Sequence, residues 1–115
     1  MTDVFDKQEL LEELDGDREF LEESLEMLGE DAPELLDQIR EGIENDDAEK
    51  ISVAAHTIKS MVGNFCAPPA LEAALNVETL GRSGDVPGCA AGLVVLEDAV
   101  NRLQQELRQF LDELE

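Results

Sequence analysis

The sequence predicts an all-α protein: an antiparallel up-down four-helix bundle with a short extra helix at its N-terminal end. Three observations carry that expectation. Apolar residues recur at helical spacing in four long stretches and one short one. No Val/Ile/Thr-rich alternating run argues for a sheet. The apolar content is mainly Leu, Ile, Val and Ala, with four Phe and neither Trp nor Tyr. At 115 residues and 43% hydrophobic, the chain has the length and apolar content of one core, so residues 1–115 are read as a single domain.

The elements follow in order. Residues 6–14 form a short opening helix with Leu10, Leu11 and Leu14 on one side, introduced by Val4 and Phe5 and stopped at Asp15, Gly16 and Asp17. Residues 17–45 carry Phe20, Leu21, Leu25, Leu28, Leu35, Leu36, Ile39 and Ile43 at helical spacing. Pro33 lies inside that stretch, and a proline removes a backbone bond, so a kink or local break is expected between Gly29 and Pro33. Asn45, Asp46 and Asp47 supply turn and N-cap chemistry for the third helix, which ends near residues 65–67 ahead of Pro68 and Pro69. A fourth helix at 70–82 presents Leu71, Ala74, Leu75 and Leu80 to the core, and residues 81–85 close it. The last, 86–114, places Leu93, Leu96, Val100, Leu103, Leu107, Phe110 and Leu111 on one face. Four long amphipathic helices joined by short turns make an up-down bundle most economically.

The formal charge of −21, from 8 Lys+Arg against 29 Asp+Glu, repels nucleic acid and anionic membranes, so neither is expected as a partner. No secretory h-region and no apolar run of about 18 residues is present, which points to a cytoplasmic protein. Cys66 and Cys89 form no CxxC pair and are read as reduced core thiols; with one histidine they make no four-ligand site, so no metal and no cofactor are expected. A Cys66–His56 dyad fails on distance, since ten residues of straight helix rise about 15 Å.

His56 is the single histidine of the chain. At about 100° per residue, Ile51, Ala54, Ala55, Ile58, Met61, Val62 and Phe65 share one face of their helix and His56 centres the opposite one. Beside it stand Ser52, Val53, Ser60 and Gly63, with Lys59 as the one cation and Asn64 following. Serine and glycine are modest or poor helix formers in positions that this chain otherwise fills with Glu. A ridge cleared of long side chains around a titratable nitrogen nucleophile suits close approach by another protein. Glu78 falls between Leu71, Ala74 and Leu75 on the apolar side of its helix, where a bare carboxylate needs a partner.

The run Ala54-Ala55-His56-Thr57-Ile58-Lys59-Ser60-Met61-Val62-Gly63-Asn64-Phe65-Cys66-Ala67 resembles the motif of the histidine phosphotransfer (HPt) domain family of bacterial phosphorelays. The similarity continues through Leu71 and the segment from Glu78 to Arg82, then Ser83-Gly84-Asp85. The outer helices match in length and apolar pattern only. The resemblance implies that His56 is phosphorylated on Nε2, with receiver aspartates as donor and acceptor, and that the domain is an intermediate without an ATP site, not an autonomous enzyme. It implies that Lys59 neutralises phosphoryl oxygens. Glu78 then accepts a hydrogen bond from Nδ1–H of His56, which fixes the tautomer. Ser52, Val53, Ser60, Gly63 and Asn64 become the docking surface, and Arg82 either pairs with Glu78 or faces the phosphate. Expected partners are response-regulator receiver domains, a sensor histidine kinase, or both, met by a monomer.

Two positions depart from the family pattern, Ser60 and Cys66, where glycine is usual. Ser60 stands where receiver loops pack, so it bears on transfer rate more than on identity. The donor is left open between a receiver aspartate and a kinase ATP-binding domain of the chemotaxis type. A different class of function, an acidic helical adaptor that docks receivers without transferring, also fits. An acidic mimic of nucleic acid fits the charge and leaves the His56 ridge unexplained. Nothing in the sequence separates a free-standing protein from a piece of a hybrid kinase.

Overall fold

A computed structural model of the chain describes residues 4–14 and 17–114. They form five helices: α1 (Lys7–Leu14), α2 (Arg18–Glu44), α3 (Ala48–Gly63), α4 (Pro68–Arg82) and α5 (Val86–Glu113). Aspartate opens four of them. The Asp6 carboxylate accepts from the Glu9 N–H, Asp17 from Phe20, Asp47 from Lys50 and Asp85 from Gly88, each at 3.0–3.1 Å. Each satisfies an amide that the first helical turn leaves without a partner. α4 begins differently, with Ala67 at its cap position and Pro68 and Pro69 in its first turn. Prolines have no N–H to satisfy there. The two prolines therefore start this helix two residues earlier than the boundary expected at Ala70.

α2 runs unbroken through Pro33, so the expected local break does not occur. The carbonyl deprived of its partner belongs to Gly29, which is half-exposed. α3 is shorter at its C-terminal end than the 65–67 boundary expected, since Asn64 caps it and Phe65 follows in a turn. Each of the three turns between the long helices contains one residue in the left-handed region: Asp46 at φ 54°, Cys66 at φ 53° and Gly84 at φ 80°. Gly84 adopts it without steric penalty, whereas a side chain at Cys66 is strained there. The expected stop of α1 at Asp15 and Gly16 lies outside the described residues.

The long helices pack in a ring, α2 on α3, α3 on α4, α4 on α5 and α5 back on α2. Contacts at both ends fix their directions. Arg18, at the start of α2, donates to the Leu111 carbonyl near the end of α5, while Arg40 near the end of α2 pairs with Glu97. Gly81, near the end of α4, abuts Ala48 and Ser52 at the start of α3. Both pairs are antiparallel. Inside lie Leu21, Leu25, Leu28, Leu36 and Ile39 of α2, Ile51, Ala54, Ala55, Ile58 and Val62 of α3, and the seven α5 residues expected there.

Several expectations for the apolar faces change, and Leu11 of α1 and Phe20 of α2 are exposed at 43% and 55%. Leu71 and Leu75 are exposed at 38% and 47%, and α4 instead turns Ala70, Ala73, Ala74, Val77 and Gly81 inward. Small residues let the neighbouring backbone come close, which the large leucines would prevent. Of the two thiols, Cys89 is buried but Cys66 is half-buried, with its sulfur 3.5 Å from Glu13 Oε2 of α1 and its carbonyl accepting from the Asp6 N–H. Phe5 packs edge-on against Phe110, ring centroids 5.3 Å apart. Together these contacts seat the N-terminal segment on the bundle.

Phe65 is 2% exposed, and Phe65→Ala is expected to lose about 3–5 kcal/mol in chemical denaturation, the range for truncating a core aromatic. Cys66→Gly relieves the left-handed strain at a half-buried position and is expected to stabilise the protein by about 0.5–1 kcal/mol, because glycine carries no Cβ penalty there. Equal midpoints for Cys66→Gly and the parent would mean that the turn has no strain to release.

Candidate functional site

α3 presents His56 outward with its side chain 55% exposed. Opposite it, Glu78 of α4 is 1% exposed and is, among the described residues, the buried charged residue of the core. Its carboxylate meets three donors. Nδ1 of His56 lies 2.7 Å from Oε2, Lys59 Nζ donates to Oε1 at 2.6 Å, and an Arg82 Nη donates to Oε2 at 3.0 Å. A carboxylate only accepts, so Nδ1 carries the ring proton and, in the neutral imidazole, the lone pair sits on Nε2. The hydrogen bond from Lys59 is the chief influence holding the Glu78 carboxyl below the usual carboxylate range. Burial works the other way and is outweighed with the further help of His56 and Arg82.

The spacing of α3 and α4 makes this contact. A Cβ on Gly81 would stand 3.0 Å from the Ser52 nitrogen and 3.2 Å from the Ala48 carbonyl, so glycine is what lets the two backbones touch. Ser52 is accordingly half-buried at the crossing, its hydroxyl donating to the Glu49 carbonyl. It is the Ser52 backbone that α4 approaches, which the sequence did not reveal. Val53, Ser60, Gly63 and Asn64 are exposed. The Ser60 hydroxyl bonds back to the His56 carbonyl at 3.2 Å, and a Cβ on Gly63 would meet only Leu71, 4.0 Å away. Leu71 and Leu75, misassigned to the core from sequence, lie on the flank of α4 that carries Glu78 and Arg82 and add an apolar margin to this surface.

Lys59 differs from its expected placement. It is 26% exposed and bound to Glu78, where the sequence suggested a free cation on the outer face. Arg82 is 68% exposed and takes the first of its two expected roles, pairing with Glu78. Among the described residues, the side chains placed to hold an ion are elsewhere: Glu9, Glu13 and Cys66, whose ligand atoms lie within 4.8 Å of one another. Burial and the neighbouring Glu13 push the Cys66 thiol up to about 12, so it stays protonated and is a poor ligand and a poor nucleophile. A 460 Å³ groove lined by Glu22, Glu26, Glu30 and Arg108 lies between α2 and α5, and His56 is not part of it. The histidine stands on an open ridge.

Fold and site together define an all-helical bundle that presents an oriented, exposed imidazole held from behind by a buried carboxylate. The Hpt domain family model matches residues 23–106, most of the chain from within α2 to within α5, and the chain belongs to the Hpt domain family. Neither a search of curated proteins nor one of solved structures returns a match. Hpt domains are histidine phosphotransfer carriers of two-component signalling, not classical enzymes, and they interact with receiver domains and kinases. No helix among the described residues is long and apolar enough to cross a membrane.

Lys59→Met removes one of three donors from a carboxylate that has almost no access to water. A loss of about 1–3 kcal/mol is expected, the range for leaving a buried polar group short of a partner, where an exposed lysine would give almost none. Urea denaturation of the two proteins decides. The Glu78 carboxyl titrates below its unfolded value near 4.5, so its contribution to stability is complete above that pH and is lost as pH falls through the depressed folded value. The stability gap between the parent and Glu78→Gln is therefore expected to shrink as pH falls below the unfolded carboxylate value. A gap that keeps its size through that fall would contradict the assignment.

Proposed function

We propose that this domain relays a phosphoryl group through Nε2 of His56, taking it from the aspartyl phosphate of one receiver domain and giving it to the aspartate of another. The observation that carries the reading is the pairing of an exposed imidazole with Glu78 at 2.7 Å on the Nδ1 side, which leaves Nε2 as the outward nucleophile. The Nε2 lone pair forms the N–P bond as the acyl phosphate P–O bond breaks, and the donor aspartate leaves as a carboxylate. The second transfer is the reverse, onto a new carboxylate. Nδ1–H stays on Glu78 throughout, so positive charge developing on the ring faces a fixed anion.

Lys59 begins on Glu78. Once phosphoryl oxygens stand on Nε2, its ammonium has a second anion one helical turn away and can turn to it, while His56 and Arg82 keep Glu78 partnered. Val53, Ser60, Gly63 and Asn64, with the Leu71 and Leu75 margin, form the surface on which receivers close.

Incubation with a phosphorylated receiver, followed by mass spectrometry under alkaline conditions, is expected to show a phosphoryl adduct on His56 that His56→Gln abolishes. Absence of any adduct while docking persists would identify a non-transferring adaptor. Lys59→Ala is expected to slow transfer by on the order of 10- to 100-fold, below the effect of a fully desolvated donor because the site opens to water when the receiver leaves. Rapid-quench kinetics separate this from docking, which is measured by titration. An unchanged transfer rate would return Lys59 to the purely structural role of pairing with Glu78.

A further inference from the structure

The outward positions of α5 obey two rules. From Glu97 onward they include Asp98, Arg102, Gln105 and Glu106, in keeping with a solvated helix. Residues 86–96 contain no charged side chain, and the outward positions are Pro87, Ala90, Ala91, Val94 and Val95. Val94 and Val95 are 70% and 60% exposed. Single exposed valines are ordinary, but these five residues recur at i, i+3, i+4, i+7 and i+8 and make a continuous apolar stripe over two turns. The acidic side chains are concentrated elsewhere. Between residues 51 and 96 the charged side chains are Lys59, Glu72, Glu78, Arg82 and Asp85, so nearly all of the formal charge of −21 lies outside that segment.

The stripe lies away from His56. Gly92 packs α5 against Val77, Asn76 and Leu80 on one flank of α4, whereas α3 meets α4 on its other flank at Gly81 and Leu71. α3 and α5 barely touch.

We propose that the stripe docks an amphipathic helix of another protein whose apolar face is flanked by lysine or arginine. Charge selects the occupant. Asp85 brackets the stripe at its N-terminal end and Glu72 stands on the adjoining flank of α4, while Asp98 at the C-terminal end is paired with Arg102 at 3.1 Å. Pairing α5 with a second copy would bring together two chains that are both strongly acidic. An anionic lipid surface is repelled for the same reason. A helix with an apolar centre and cationic flanks covers the valines and neutralises Asp85 and Glu72. A partner held there leaves the imidazole open, so the domain can be tethered while His56 is in use.

The test is an NMR titration of the isotope-labelled full chain with a synthetic Leu/Ala-faced helix flanked by lysines, and with the same helix flanked by glutamates. Shifts centred on residues 87–98 and Asn76 are expected with the lysine-flanked helix, and none with the other. Combined Val94→Glu and Val95→Glu separates the stripe from general acidity, because it adds negative charge while removing apolar contact. Weakening by about 10-fold or more is expected, in line with removing two partly buried valine contacts. Combined Val94→Gln and Val95→Gln should weaken binding similarly, and an unchanged melting temperature shows that either variant is folded. Four results overturn the proposal: shifts centred on the acidic side chains of α2, binding unchanged or tightened by the glutamates, equal binding of the glutamate-flanked helix, or a dimer of the full chain that the substitutions abolish.

Discussion

One buried carboxylate constrains the functional end of this molecule. Glu78 sits almost without access to water, and such a group is tolerable as an anion only with donors on every side. Two of its donors, His56 and Lys59, come from α3 and one, Arg82, from α4 itself. α3 and α4 must therefore lie close and in a fixed register. That requirement explains the inner face of α4, which is alanine, valine and glycine where α2 and α5 rely mainly on leucine. It explains Gly81, which lies against the Ser52 backbone. The same ion cluster that steadies the helix pair also fixes which ring nitrogen of His56 faces outward, so the packing of the helices and the orientation of the imidazole share their atoms.

Much of the fold was legible because apolar periodicity reports burial directly. The seven expected residues of α5 are all buried, and the aspartates that open α2, α3 and α5 stand next to turn-forming neighbours. What periodicity cannot report is how close two helices come. Leu71 and Leu75 look like core residues because they are large and apolar, and only the closeness of α3 and α4 reveals that the alanines point inward. Pro33 misled in the opposite sense, since a missing bond at a half-exposed carbonyl did not end a helix packed over its whole length. In the site, angular arithmetic placed His56 outward and Glu78 inward. The hold of Glu78 on Lys59 was invisible, because side chains three residues apart compete for partners on a helix that the sequence alone does not dock.

The left-handed residues add a second lesson. Gly84 announces its turn, but Asp46 and Cys66 adopt the same backbone with side chains attached. Asp is among the residues that enter this region most readily. Cys66 is not, and its compensation is tertiary: its carbonyl receives the Asp6 amide and its sulfur packs near Glu13, so α1 is fastened to the turn that follows the histidine helix.

The uneven spread of charge has a consequence for how the molecule meets others. Acid crowds the first fifty residues and thins to near neutrality over α3, α4 and the start of α5. Such a body is a strong electric dipole. Near an acidic partner it experiences a torque as well as a repulsion, turning its acidic side away and bringing the nearly neutral side to the front. The rotational search for a productive encounter is thus narrowed before any side chains touch. Dissolved salt, by screening that torque within a Debye length of about 8 Å at physiological strength, blurs the orientation of approach even where it eases the approach itself.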